Sequence, residues 1–383
     1  MRVWRRAASR STGLAAVLAL VVVVSAGIGP VRIPPADVVK IVLNAVAVPA
    51  RVEFGTGGTG GSGSLMLPHV DVAYRSLFSY PVADVHERIV MRVRLPRILL
   101  AALVGFALAA AGTVMQGFFR NPMADPSIIG VSSGAAVGAV AFIVFPVALS
   151  TTVALPLVGA VDVGLSYGAG VSLFAFAGAL IAAFGVYAIA TRHGRTPVAT
   201  LLLAGVAVQT FLGAVISYLQ LQAGESLRRI VAWLMGHLSG ASWSDVAVTG
   251  VVVPPLFLLL LVYTRDLNVM LLGEEEAQGL GIEVERTKRI LLGASALITA
   301  AGVAFAGVIG FVGLIVPHML RLVVGPDHRV LLPTAALAGG SFLVAADTIA
   351  RYGTTELPVG IVTAAVGAPF FIYLLMSREV HEL

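Results

Sequence analysis

Between residues 13 and 376 the chain returns repeatedly to apolar runs of about twenty residues, separated by short polar turns. A hydrocarbon core about 30 Å thick takes roughly 20 apolar helical residues. Inside that core water cannot bond a free backbone amide, so an apolar run of this length is a helix that satisfies its own backbone. Composition agrees: 58% of residues are hydrophobic and 12% charged, and mean hydropathy is +0.96. A soluble globular domain does not look like this.

The expected spans are 13–29, 97–119, 128–146, 168–190, 197–220, 245–263, 289–308, 309–324, 331–349 and 358–376. Ten spans put both termini on one side, and the whole chain, 1–383, reads as a single polytopic transmembrane domain. "MRVWRRAASR" followed by "GLAAVLALVVVVSAG" also fits a cleavable signal. Retained, it is the first helix. Counting Lys and Arg on alternate sides gives fourteen on the N-terminal side against three (Arg228, Arg229 and Arg351) on the other. Cytoplasmic loops carry such an excess, so both termini are expected inside. Residues 30–96 are too long for that rule; their tract "EFGTGGTGGSGS" (53–64) reads as a flexible outer loop.

Several kinds of chemistry are excluded or disfavoured. There are no cysteines, so no disulfide or thiolate site exists. Lys40 and Lys288 are the two lysines and neither follows a glycine, so no P-loop is present. "GVSSG" (130–134) matches a nucleophile elbow in letters alone, because it opens a membrane helix rather than a strand-to-helix turn. The seven histidines are scattered and lack metal-ligand spacing. No catalytic residue, no metal site and no nucleic-acid partner is expected.

Three polar features stand out. The inner segment 265–289, "RDLNVMLLGEEEAQGLGIEVERTKR", intersperses leucine, methionine and alanine with acids, which suits short surface helices that need a partner. On the outer side "RVRLPR" brings Arg94 and Arg97 to the mouth of the second span, with Pro96 at the expected helix start and Arg351 beyond the ninth span. Arginines on the disfavoured side suggest docking of an acidic partner. The inner turn "RNPMADPSIIG" (120–130) ends one helix at Pro122 and releases the next after Pro126, with Ser127 as the expected cap.

Residues 94–138, with "WLMGHLSGASW" (233–243), "GEEEAQGLGIEVERTKR" (273–289), "GFVGLIVPHMLRLVVGPDHRVLLP" (310–333) and "ELPVGIVTAAVGAPFFIYLL" (356–375), resemble the permease subunits of ABC importers for iron-siderophores, haem and cobalamin. The resemblance runs in order over about 290 residues. It implies a homodimer of ten-helix subunits in the bacterial inner membrane, two ATPase subunits on the cytoplasmic face, and a periplasmic substrate-binding protein outside. ATP and Mg would act in the ATPase, and this chain would be a transport subunit rather than an enzyme. The family pattern places ATPase coupling on Leu272, Gly273, Glu274, Glu275, Ala277, Leu280 and Gly281, and binding-protein docking on Arg94, Arg97 and Arg351. It places the pathway over 205–220 and 228–240, including Gln209, Leu212, Ile216, Arg228, Arg229 and His237. The loop 47–75 is longer than usual in the family. Haem is the expected substrate, with ferric siderophore and cobalamin as alternatives. A rival of another class is an ion-coupled secondary transporter; Asp347, the one carboxylate well inside a span, reads as a helix-packing group.

Overall fold

The computed structural model describes residues 2–57, 67–147, 150–155, 159–164, 166–353 and 355–376. Helix α1 (Arg2–Gly27) is followed by α2 (Pro35–Asn44), strands β1 (Ala47–Gly57) and β2 (Leu67–Ser76), and the short α3 (Asp84–Ile89). Next come α4 (Leu95–Phe118), α5 (Val131–Val144), strands β3 (Ser150–Leu155) and β4 (Gly159–Gly164), α6 (Tyr167–Ala190), α7 (Val198–Leu221) and α8 (Leu227–Leu234). The chain continues through α9 (Trp243–Val262), α10 (Thr264–Met270), α11 (Glu274–Gly279), α12 (Val284–Ala306), α13 (Val312–Val324), α14 (His328–Ala350) and α15 (Val359–Met376).

Among the described residues seven helices are long and apolar enough to cross a membrane, and three shorter apolar ones (α5, α13 and α15) complete the set of ten. Each coincides with one expected span. The second begins earlier than expected, since helix runs unbroken from Asp84 to Phe118. Pro96 therefore does not start it. A π-helical turn at Val90–Arg94, in which the Leu95 amide bonds back to the Val90 carbonyl, widens the helix just ahead of the proline ring and absorbs it.

The expected outer loop 30–96 is also structured. Residues 47–57 pair antiparallel with 67–76, from Ala47 opposite Ser76 to Gly57 opposite Leu67. Strands β3 and β4 form a second hairpin between α5 and α6. The Gly/Ser tract thus contributes the end of a strand at 53–57, while 58–64 lie outside the described residues.

Most of α4 is buried, and α14, α12, α13 and α9 pack around it. Small residues make this possible: a side chain on Gly105 would meet the Gly339 carbonyl and one on Gly112 the Gly313 carbonyl, just as one on Gly134 of α5 would meet the Gly178 carbonyl of α6. Lipid gives helices no hydrophobic reason to associate, so backbone contact over glycine supplies the dispersion energy instead. By contrast α7 and α9 leave most of their surface uncovered.

Polar contacts tie each end of the bundle. At the end shared with residue 2, the proximal end, Arg10 donates to the Val324 carbonyl (2.9 Å) and Asn268 to Asp327 (2.7 Å). At the distal end Arg94 donates to the Ala26 carbonyl (2.6 Å) and the His237 amide to the Ala306 carbonyl (2.8 Å).

Candidate functional site: two polar rims and an outer cleft

The distal rim is built on Asp347, near the last turn of α14. Its Oδ1 accepts from Arg97 Nε at 2.9 Å, and Arg97 also donates to Glu356 Oε2 at 3.0 Å. Arg351, one turn beyond Asp347 on the same helix face, brings Nε within 2.9 Å of Asp347 Oδ2, while that N–H points at the Asp347 carbonyl (3.3 Å). Its other arm donates to Ser25 on α1 at 2.8 Å, and Ser25 pairs with Thr348 at 2.6 Å. Arg94 reaches the carbonyls of Ala26 and Val31, lying over Gly29. Asp347 is wholly buried, and Arg94, Arg97 and Arg351 are nearly so.

The sequence presents these three arginines as free outer cations, and the structure corrects that exposure. A guanidinium at an apolar helix end is costly to leave unpaired. The chain spends these charges holding α1, α4 and α14 together. Glu356, 58% exposed, is the member of the network that faces outward.

Behind this rim lies a cleft lined by Tyr167, Arg229, Trp233, His237, Asp245 and Phe305. Arg229 sits 5.3 Å over the Tyr167 ring and donates to Ser226. Asp245 closes a capping box with Ser242 at the start of α9. His237 Nδ1 is buried without a partner, and burial, with Arg97 as a lesser cause, lowers the imidazole's pKa. Arg229 and His237 therefore meet in one cavity. Gln209 does not join them: its amide is donated to the Ile128 carbonyl (2.9 Å), against the turn after α4. Leu212 and Ile216 are half-buried on α7, and Arg228 is exposed. The free face of α7 is instead carried by Leu203, Val206, Phe211, Tyr218 and Leu221, which recur on one broad side of the helix.

The proximal rim differs in kind. Residues 264–283 fold as α10 and α11; Leu267 of α10 joins the main core, while Met270 and Ala277 form a small separate hydrophobic cluster with Val284, the first residue of α12. Gly273 (φ +145°) and Gly281 (φ +84°) make the two bends around α11. Glu275 is exposed, and Leu272 and Leu280 stand 68% and 65% exposed on either side of the helix. Polar pins join this segment to the bundle at Asn268 and at Glu274, which lies 2.6 Å from the Lys288 ammonium.

The expected proximal turn 120–130 is capped by Asp125 rather than Ser127: Asp125 accepts from the Ser127 amide at 2.9 Å, and the serine hydroxyl donates to the same carboxylate. The serine is spent on its neighbour, so it caps nothing further along. Burial raises the Asp125 pKa, and the two Ser127 bonds offset part of that.

Ten apolar helices tied by polar contacts at both ends define a multi-pass membrane protein. Residues 17–377 match the model of the FecCD transport family, and the chain belongs to that family of ABC-importer permeases. It is 54% identical over 381 residues to the Cobalamin import system permease protein BtuC of Halobacterium salinarum, covering 99% of this chain and 98% of that one. It is 41% identical over 322 residues to the Hemin transport system permease protein HmuU of Yersinia pestis, covering 83% and 92%. Among solved structures it matches an inward-facing putative metal-chelate type ABC transporter with TM-score 0.72 and 29% identity, over 97% of this chain and 99% of that one.

Proposed function

We propose that the chain forms one half of an ATP-driven importer's membrane pathway, paired with a second copy through the free face of α7. A separate ATPase, using ATP and Mg, docks on residues 264–283, so the proximal end and both termini lie in the cytoplasm. The observation that carries this reading is the pair Leu272 and Leu280: two leucines held in solvent beside a small separate cluster call for a partner. The chain has no P-loop, so the motor must come from elsewhere. A binding protein outside the cytoplasmic membrane docks on the distal rim, with Glu356 at the surface and Arg97, Arg351 and Arg94 beneath.

For the cargo, identity over nearly the whole chain to a cobalamin permease favours cobalamin over haem. Haem stays as the second reading because one relative is named for hemin transport, and because His237 offers an unpartnered imidazole nitrogen in the outer cleft. Burial keeps that ring neutral at pH 7, as an iron ligand must be. The test is uptake into vesicles holding the chain and its ATPase, supplied with binding protein carrying cobalamin, haem or a ferric siderophore. Cobalamin alone should enter and should accelerate ATP hydrolysis. Haem uptake that His237→Ala abolishes would move the assignment to haem, and vesicles that recruit no ATPase would end the importer reading.

A further inference from the structure

Lys288 is one of two lysines in the sequence and stands three residues after Glu285, on one face of the first turns of α12. Its side chain is among the largest that are fully buried. A strongly hydrated ammonium is held there only if its partners replace water. It has three: Glu274 Oε2 on α11 at 2.6 Å, Glu285 Oε1 at 3.3 Å, and the Thr196 carbonyl at 3.2 Å. The Thr196 amide in turn donates to Glu285 Oε2 (3.1 Å), and the Thr196 hydroxyl pairs with Thr191 at the end of α6 (2.9 Å).

Three separate pieces of chain therefore meet on one nitrogen: the docking segment, the long buried helix α12, and the turn 191–197 that leads into α7. Helix α11 has slight apolar anchorage, because Ala277 is its one buried residue and packs with Met270 and Val284 outside the main core, whereas α10 puts Leu267 into that core. Its other polar pin, Asn268 to Asp327, ties α10 to α14 and leaves α11 out. We infer that Lys288 is the positioning residue that carries a displacement of α11 into α12 and, through Thr196, into the α6–α7 turn. The inference rests on the proposed docking of an ATPase to 264–283. An apolar side chain of similar length would fill the space but hold nothing, so α11 could move while the bundle stayed still.

The experiment uses the full complex in vesicles with ATPase and with binding protein carrying cyanocobalamin or haem. Lys288→Met should still co-purify the ATPase and keep basal ATP hydrolysis, while uptake and its stimulation by binding protein fall roughly tenfold, the scale of a lost coupling contact. Lys288→Arg, which keeps the charge and the donors, should restore much of the loss. Spin labels at the exposed Glu275 and His193 supply a readout that a merely structural role would not move. In the parent their separation should stay fixed as nucleotide binds, because both ride on Lys288, and in Lys288→Met it should change.

Unaltered uptake in Lys288→Met would overturn the inference. So would loss of the ATPase and of folding in both Lys288 variants, since that is a purely structural part. If the parent chain itself recruits no ATPase, the docking proposal has failed first.

Discussion

The two polar rims look alike in the sequence, each a handful of basic and acidic residues at helix ends, yet they are built differently. At the distal rim a single buried carboxylate, Asp347, serves Arg97 and Arg351 and the network closes on Ser25 within the helix ends. At the proximal rim the buried group is the cation, Lys288, and its two acids remain 38% and 27% exposed. Apart from the outward-facing Glu356, the members of the distal network are buried and cannot be traded for water, which fixes their geometry. A network whose outer members reach solvent can exchange partners when a second protein arrives. Rigid placement thus sits at the end proposed to meet the binding protein, and adjustable placement at the end proposed to meet the motor.

The sharpest way to break this comparison is to remove the shared group from each rim. Asp347→Asn leaves two guanidiniums buried against one fewer charge, and taking one partner from a buried ion pair costs about 3–5 kcal/mol. The unfolding temperature of the detergent-purified chain should fall well below that of Lys288→Met, whose orphaned acids can turn to water. Equal losses in the two variants would erase the distinction.

A smaller effect is expected at Glu356, the exposed member of the distal network. Glu356→Gln should leave thermal stability near the parent's, since exposed pairs contribute little. It also frees one edge of Arg97 for an acidic partner. Binding-protein association, followed by surface plasmon resonance, should tighten by a few-fold and become more salt-sensitive. A weaker complex would show that Glu356 itself is a contact and that Arg97 belongs to the fold alone.

Much of this was legible in the sequence, and the failures have physical causes. Hydropathy located all ten apolar helices, because desolvating twenty backbone amides is a constraint no tertiary contact can override. It missed the stretch from Asp84 to Leu95, which is helical but amphipathic and so invisible to a scale that asks only for grease. It missed the hairpin 47–57/67–76 because glycine and serine between the strands masked the alternation in "RVEF" and "HVDVAY". Charge counting drew attention to Arg94, Arg97 and Arg351 but left them exposed, since a partner such as Asp347 lies 250 residues from Arg97 along the chain. The i, i+4 pair Asp347 and Arg351 was the one local hint of that knot. Lys288 entered only as a counted charge and as a lysine without a P-loop, although a lysine with Glu285 three residues earlier, at the mouth of an apolar helix, already asks what keeps it charged.

The last prediction, and the smallest effect, probes the openness of the proximal rim with protons. Asp327 caps α14 through the Arg329 amide (3.1 Å), binds the Arg329 side chain (2.7 Å) and accepts from Asn268 (2.7 Å). The Arg329 side-chain bonds, more than any other cause, lower its pKa from 3.8 to about 2. Folding therefore favours the ionised carboxylate, and its stabilising contribution is fully present above pH 3.8 and lost as pH falls through about 2. Asp327→Asn keeps one cap acceptor but no charge. The parent should exceed it in denaturation midpoint at pH 5, with a gap that narrows steadily towards pH 2. Both Asp327 and Arg329 are about one-third exposed, so solvent screening keeps that gap small. A gap that stays constant from pH 5 to pH 2 would mean that the ionised Asp327 carboxylate adds nothing to the fold, and its part in holding the proximal rim would fail.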